Sequence, residues 1–217
     1  MKKYDGTLWV GTGVEVAEYM FDPTHAEQIM NLTDYDVIIG SVHSIAYDNW
    51  DSYSRTNFDV TVPREKILTY LKRYFAEMQR MIECAHINVL AHITCPFRYI
   101  NGKYGRNIDV SIFAEQIEQI LHDIIDKGIA LELNTSGLNI GWGEFMPSRE
   151  ILACYSRLGG ELITLGSDAH ISQNVGGGLK DGLALLQEVG YKYYASYCNK
   201  KIRMIRIEDS SRFAEMY

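Results

Sequence analysis

The chain has 217 residues, enough for one sizeable core, with 47% hydrophobic residues, 23% charged residues and a formal charge of −7. These values fit an ordinary soluble globular domain and exclude a broad nucleic-acid surface, which needs clustered Lys and Arg. No stretch approaches the roughly 20 consecutive apolar residues that span a bilayer. The opening MKKYDGTLW carries no apolar signal-peptide core before its first Gly, and Cys84, Cys95, Cys154 and Cys198 form no CxxC pair. Free thiols in a reducing, cytoplasmic compartment are therefore expected.

In chain order, the first apolar run predicts a strand over 7–16 and the second a strand over 35–42. Pro63 then opens a helix over 64–84, with Ile67, Leu68, Leu71, Phe75, Met78 and Ile82 on one face. A strand follows over 88–92. The next helix spans 109–127, with Ile112, Phe113, Ile117, Ile120, Leu121 and Ile124 inward and Gly128 at its C-terminal cap. Strands over 129–134 and 162–166 flank a shorter helix from a Ser148 cap to about Leu158. A helix over 179–189 ends at Gly190, and 192–197 and 202–207 read as two last strands, the second at an edge.

Continuous apolar strands alternating with amphipathic helices predict a parallel α/β fold, buried on both faces of its sheet. No repeat, low-complexity tract or linker divides the chain, so one domain is expected over 1–217. The segments 44–62 and 93–108 are long loops rich in Tyr, Asn, Asp and Gly. Both follow a histidine at a strand end, where loops line substrate sites.

Five metal-friendly side chains stand at or just past the C-terminal ends of these strands: Glu15, His43, His92, Asp168 and His170. In parallel α/β architectures that is the face on which active sites are built. Imidazole and carboxylate donors without a neighbouring Cys suit Zn²⁺, Mn²⁺ or Fe²⁺. His25, His86 and His122 lie in or beside helices, or ahead of a strand, and are read as structural or exposed.

GTGVEVAEY, GSVHSI, VLAHITCPFRY, LELNTSGL and LITLGSDAH, in this order, resemble successive motifs of the PHP (polymerase and histidinol phosphatase) family. The chain is most similar to its histidinol-phosphate phosphatase branch, and the resemblance covers nearly the whole sequence. It implies a distorted (β/α)₇ barrel that uses divalent metals to hydrolyse a small phosphate monoester, histidinol phosphate foremost. Carried over by motif, Glu15 would bridge metals, with His43 and His92 completing one position. Asp168 and His170 would serve two others, Glu15 and Asp168 would be catalytic, and Arg98 would contact the substrate phosphate.

The N-terminal HxH segment of the family does not occur in this sequence. An incomplete barrel lacking its first strand–helix units is therefore expected, holding fewer than the family's three metals. Open sheet edges predict a homo-oligomer sealed edge to edge. Two other readings remain at this point: a catalytically inactive remnant that binds metal, and a PHP phosphoesterase for a different substrate such as a phosphotyrosine or a nucleotide.

Overall fold

The computed structural model describes residues 10–47, 50–138 and 142–208. The first half of the chain forms β1 (Gly13–Ala17), α1 (Pro23–Met30), β2 (Val37–Ser41), β3 (Ser44–Tyr47), β4 (Trp50–Ser52) and α2 (Arg64–Cys84). The second half adds β5 (Val89–Leu90), the short turn α3 (Cys95–Phe97), α4 (Ala114–Lys127), β6 (Ala130–Asn134), α5 (Arg149–Arg157), β7 (Ile163–Gly166), α6 (Leu179–Val189), β8 (Tyr193–Cys198) and β9 (Lys201–Arg206).

Five strands make one parallel sheet in the order β1-β2-β5-β6-β7. Among the described residues this sheet is open, with β1 and β7 as its outer strands. All five residues of β6 are buried, as a strand covered on both faces requires. Leu131 and Leu133 join the large core that also contains the apolar faces of α2 and α4. By alternation Ala130, Glu132 and Asn134 project to the opposite, inner face.

On α2, Ile67, Tyr70, Leu71, Tyr74, Phe75, Met78, Met81 and Ile82 are buried, the three-and-four spacing of a single helical face. Each Ile, Leu, Phe or Met among them contributes about 1.5–3 kcal/mol when fully withdrawn from water. The Lys127 ammonium at the end of α4 donates to the Ile82 and Glu83 carbonyls at 2.8 and 3.0 Å. A cation thereby meets the negative end of α2.

The strands fall where the apolar runs stand, shortened or shifted at their ends, and residues 7–9 of the first run lie outside the described residues. The helix expected from residue 109 begins as a tight 3₁₀ turn over Val110–Phe113, with Asp109 accepting from the Ser111 amide. Three residues per turn shift the phase, so Phe113 is buried while Ile112, expected inward, is exposed. Ser148 does precede α5, but its hydroxyl donates to Glu150 rather than capping the helix. The two expected loops are also partly ordered: 44–62 holds the β3–β4 hairpin, and 93–108 holds α3 and a wide helical turn over Arg98–Lys103.

β8 and β9 pair with each other as an antiparallel hairpin rather than extending the main sheet. Asn199 and Lys200 both take positive φ, 51° and 60°, the geometry of a two-residue turn matched to strand twist. Ala195 and Tyr197 pack against Val89 and Ala130, beside Val37, Ile39 and Leu162. The hairpin thus covers part of the inner face, leaving the strand C-terminal ends for the polar groups.

Candidate metal and phosphate site

Glu15 lies on β1 in register with Ile39 of β2, and its Oε1 is 3.3 Å from His43 Nε2 and 3.4 Å from His92 Nε2. The two imidazole centroids are 5.3 Å apart. One donor atom from each of the three residues lies within 4.8 Å of the others. Bonds of about 2.0–2.2 Å from one tetrahedral ion to N and O donors place those donors about 3.3 Å apart. The spacing and the donor types therefore fit a divalent ion.

Backbone geometry aims these side chains. His92 follows β5 with φ at 21°, ending the strand, and its amide donates to Glu132 Oε2 at 2.9 Å. Glu18, itself at φ 49°, takes the amides of His43 and Ser44 on one carboxylate oxygen. Each histidine is therefore anchored at its main chain by a carboxylate. Tyr53, delivered by the β3–β4 segment, stands edge-on to His43 at 5.8 Å and 5.3 Å from the Tyr99 ring, forming an aromatic wall.

The other half of the site comes from the ends of β6 and β7 and from the turn after α3. Asp168, at φ 47°, has Oδ1 3.2 Å from His170 Nε2 and Oδ2 3.9 Å from the Arg98 guanidinium. Arg98 is buried, donating to Ser136 Oγ at 2.8 Å and to the Tyr99 hydroxyl at 2.9 Å. The His170 side chain is 89% exposed. Asp168 and His170 stand outside the three-donor group, yet all five predicted ligands and Arg98 line one cavity of about 360 Å³.

The charges are strongly coupled. Partial burial works against ionisation of Glu15, but hydrogen bonds from His43 and His92 outweigh it and hold the carboxyl well below its ordinary range. Burial likewise disfavours a charged His92, but hydrogen bonding to Glu15 and the nearby carboxylates raise its pKa. Glu132 goes the other way, because burial lifts it against the pull of His92 and Asn134. Burial also pushes the Cys95 thiol up to about 12, which leaves it inert.

His25, His86 and His122 are all exposed and away from the cavity, and His86 meets Glu27 at 3.5 Å. The sequence reading passed over Glu18, Glu132, Asn134 and Ser136. The signal for Glu132 was present: an acid between two leucines in ALELN, within a strand buried on both faces. Such a group needs donors of its own.

A site of imidazoles and carboxylates at the C-terminal ends of parallel strands defines a class of protein, and the family model of the PHP domain matches residues 1–136. The chain belongs to the PHP domain family. Its relatives include the probable histidinol-phosphatase of Thermotoga maritima, 33% identical over 139 residues, covering 64% of this chain and 55% of that protein. The histidinol-phosphatase of Lactococcus lactis subsp. lactis is 28% identical over 208 residues, covering 92% and 72%. The chain thus spans little more than half the length of the Thermotoga protein. Among solved structures, the fold resembles histidinol phosphate phosphatase from Lactococcus lactis complexed with Zn, L-histidinol and phosphate. The TM-score is 0.71 at 21% identity, covering 93% of this chain and 74% of that one.

Proposed function

We propose that this chain is a metal-dependent phosphohydrolase of small phosphate monoesters, with histidinol phosphate as the substrate that best fits its relatives. The observation that carries the reading is the meeting of a three-donor metal group with a buried arginine across one cavity. Glu15, His43 and His92 would hold the ion, Zn²⁺, Mn²⁺ or Fe²⁺. Asp168 and His170 would add ligands at the opposite wall, and Glu15 and Asp168 would be the catalytic carboxylates. When bound, such an ion neutralises phosphoryl charge and lowers the pKa of water. Arg98 suits the phosphate because its planar fork binds two oxygens at once. Tyr53 and Tyr99 shield that contact from bulk water, which strengthens it. The relatives' names and the zinc, histidinol and phosphate of the structural neighbour support the substrate.

On this reading the five-stranded sheet is part of a distorted (β/α)₇ barrel within a single domain over 1–217. It carries fewer than three ions, works in the cytoplasm and pairs with a second copy along its open edges. Purified protein with Mn²⁺ or Zn²⁺ should release phosphate from histidinol phosphate, and Glu15→Ala and His43→Ala should each abolish release. Unchanged turnover in both variants would falsify the assignment. Light scattering on a size-exclusion column reads the pairing, and a stable monomer at micromolar concentration would exclude it.

A second reading is favoured by the position of Asp168 and His170 outside the three-donor group. The chain would then bind one ion without turning over substrate. One tightly held ion per chain, together with no phosphate release from any monoester, selects it.

A further inference from the structure

Three polar residues at alternate positions, Glu132, Asn134 and Ser136, run along β6 and past its end. All three are buried, between 0% and 8% exposed. Alternate residues of a strand share a face, so the first two share the inner face with Glu15. None is among the residues that line the cavity. Their hydrogen bonds nevertheless connect its two ends.

Glu132 Oε2 accepts from the His92 amide at 2.9 Å and from Asn134 Nδ2 at 3.1 Å. Because that Asn134 nitrogen must donate, its Oδ1 faces the other way, accepting from the Ser136 amide at 3.0 Å and the Ser136 hydroxyl at 2.7 Å. A hydroxyl has one proton to give. The 2.7 Å contact claims it ahead of Asp168 Oδ2 at 3.3 Å. A lone pair of Ser136 Oγ is then left for the Arg98 guanidinium at 2.8 Å. Every link sets the donor–acceptor sense of the next, so the chain of bonds has one consistent arrangement.

The main chain holds this arrangement rigid. Asn134 exchanges both backbone hydrogen bonds with Met146, at 2.9 and 3.0 Å. Glu132 is wedged against β7, where a Cβ added to Gly166 would stand 2.1 Å from Oε1. A side chain at position 166 would displace the carboxylate.

We infer that Glu132, Asn134 and Ser136 form a positioning relay that fixes His92, at the metal end of the cavity, relative to Arg98, at its phosphate end. The inference rests on the metal and phosphate roles proposed above. Outer partners that orient a ligand alter metal affinity by about 10–100-fold when removed. Alteration of the middle residue reaches both ends, whereas alteration of either terminal residue acts mainly at its own.

Cobalt(II) and inorganic phosphate are suitable probes, because the visible spectrum of bound Co²⁺ reports the geometry at the imidazoles without turnover. Glu132→Leu should weaken Co²⁺ binding about 10–100-fold and shift the visible band, while Glu132→Gln, which keeps one acceptor oxygen, should restore most of both. Ser136→Ala should leave the Co²⁺ spectrum in place and weaken phosphate binding about 10-fold or more, the scale of one charge-assisted hydrogen bond. Asn134→Ala should move both readouts. If that variant does not fold, Asn134→Asp, of equal size but with the donor turned into an acceptor, should move both in its place. Co²⁺ bound by the wild type and lost in Glu15→Ala, with folded Asn134 variants unchanged at both ends, would overturn the relay alone. No Co²⁺ binding by the wild type would overturn the metal reading and the relay with it.

Discussion

At the β1–β2–β5 end of the cavity, the donor atoms of His43 and His92 already stand 3.3–3.4 Å from Glu15, and each histidine is held at its amide by a carboxylate. At the β7 end, His170 is 89% exposed and its Nε2 stands 3.2 Å from Asp168. The difference lies in what surrounds these side chains rather than in the side chains themselves. His43 and His92 leave strands flanked on both sides by other strands, so their backbones are positioned by the ladder. Asp168 and His170 leave an outer strand of the sheet. Preorganisation is therefore uneven: one end can take an ion with little rearrangement, while the other must order a side chain that now faces solvent.

The largest test of this contrast is Glu15→Ala, which removes the carboxylate shared by both imidazoles. Ion affinity, measured by chelator competition, should fall by about 100-fold or more, above the range for outer partners, and phosphate release should drop to background. Retained affinity would place the ion elsewhere. Metal removal comes next. At an ion concentration 100 to 1,000 times the dissociation constant, binding stabilises the fold by about 2.7–4.1 kcal/mol. A chelator should accordingly lower the thermal midpoint of the wild type and leave that of Glu15→Ala unmoved.

Arg98→Lys should have a smaller effect. It keeps the charge but loses the fork that reaches both Ser136 and Tyr99. Loss of charge-assisted hydrogen bonds worth about 1.5–3 kcal/mol predicts roughly 10–100-fold weaker phosphate binding with ion affinity intact. His170→Ala, at the β7 end, is the smallest perturbation. An exposed residue outside the three-donor group should change affinity for the first ion by less than about threefold, as for independent sites. A loss comparable to that of Glu15→Ala would mean that the two ends act as one.

Much of this arrangement was legible from sequence because strand-end positions are written in a short code: an apolar run and then a polar residue. His43, His92 and Asp168 each follow that code, whereas Glu15 stands in the middle of β1, and the alternation of strands and helices defined the parallel sheet. Other features depended on contacts that no local window contains. The Glu132 acceptor role depends on an amide 40 positions away. The outward turn of Ile112 depends on a 3₁₀ start that the helical period does not announce. Ser148 precedes its helix as predicted, but a carboxylate two residues on competed successfully for its hydroxyl.

The β8–β9 hairpin carries a consequence for the order in which the molecule can be made. Asp36, at the start of β2, accepts the Asn199 amide on its side chain and the Lys200 amide on its backbone, each at 2.8 Å. Tyr197 donates to the Asn88 carbonyl at 3.0 Å, between β2 and β6. These contacts join residues more than 100 positions apart, and such closures are slow to form because the intervening chain must first be ordered. A ribosome releasing this protein from its N-terminus exposes Val37, Ile39 and Val89 long before Tyr197 arrives to cover them. That interval, rather than the finished fold, is when the nascent chain is most open to mispairing or capture by a chaperone.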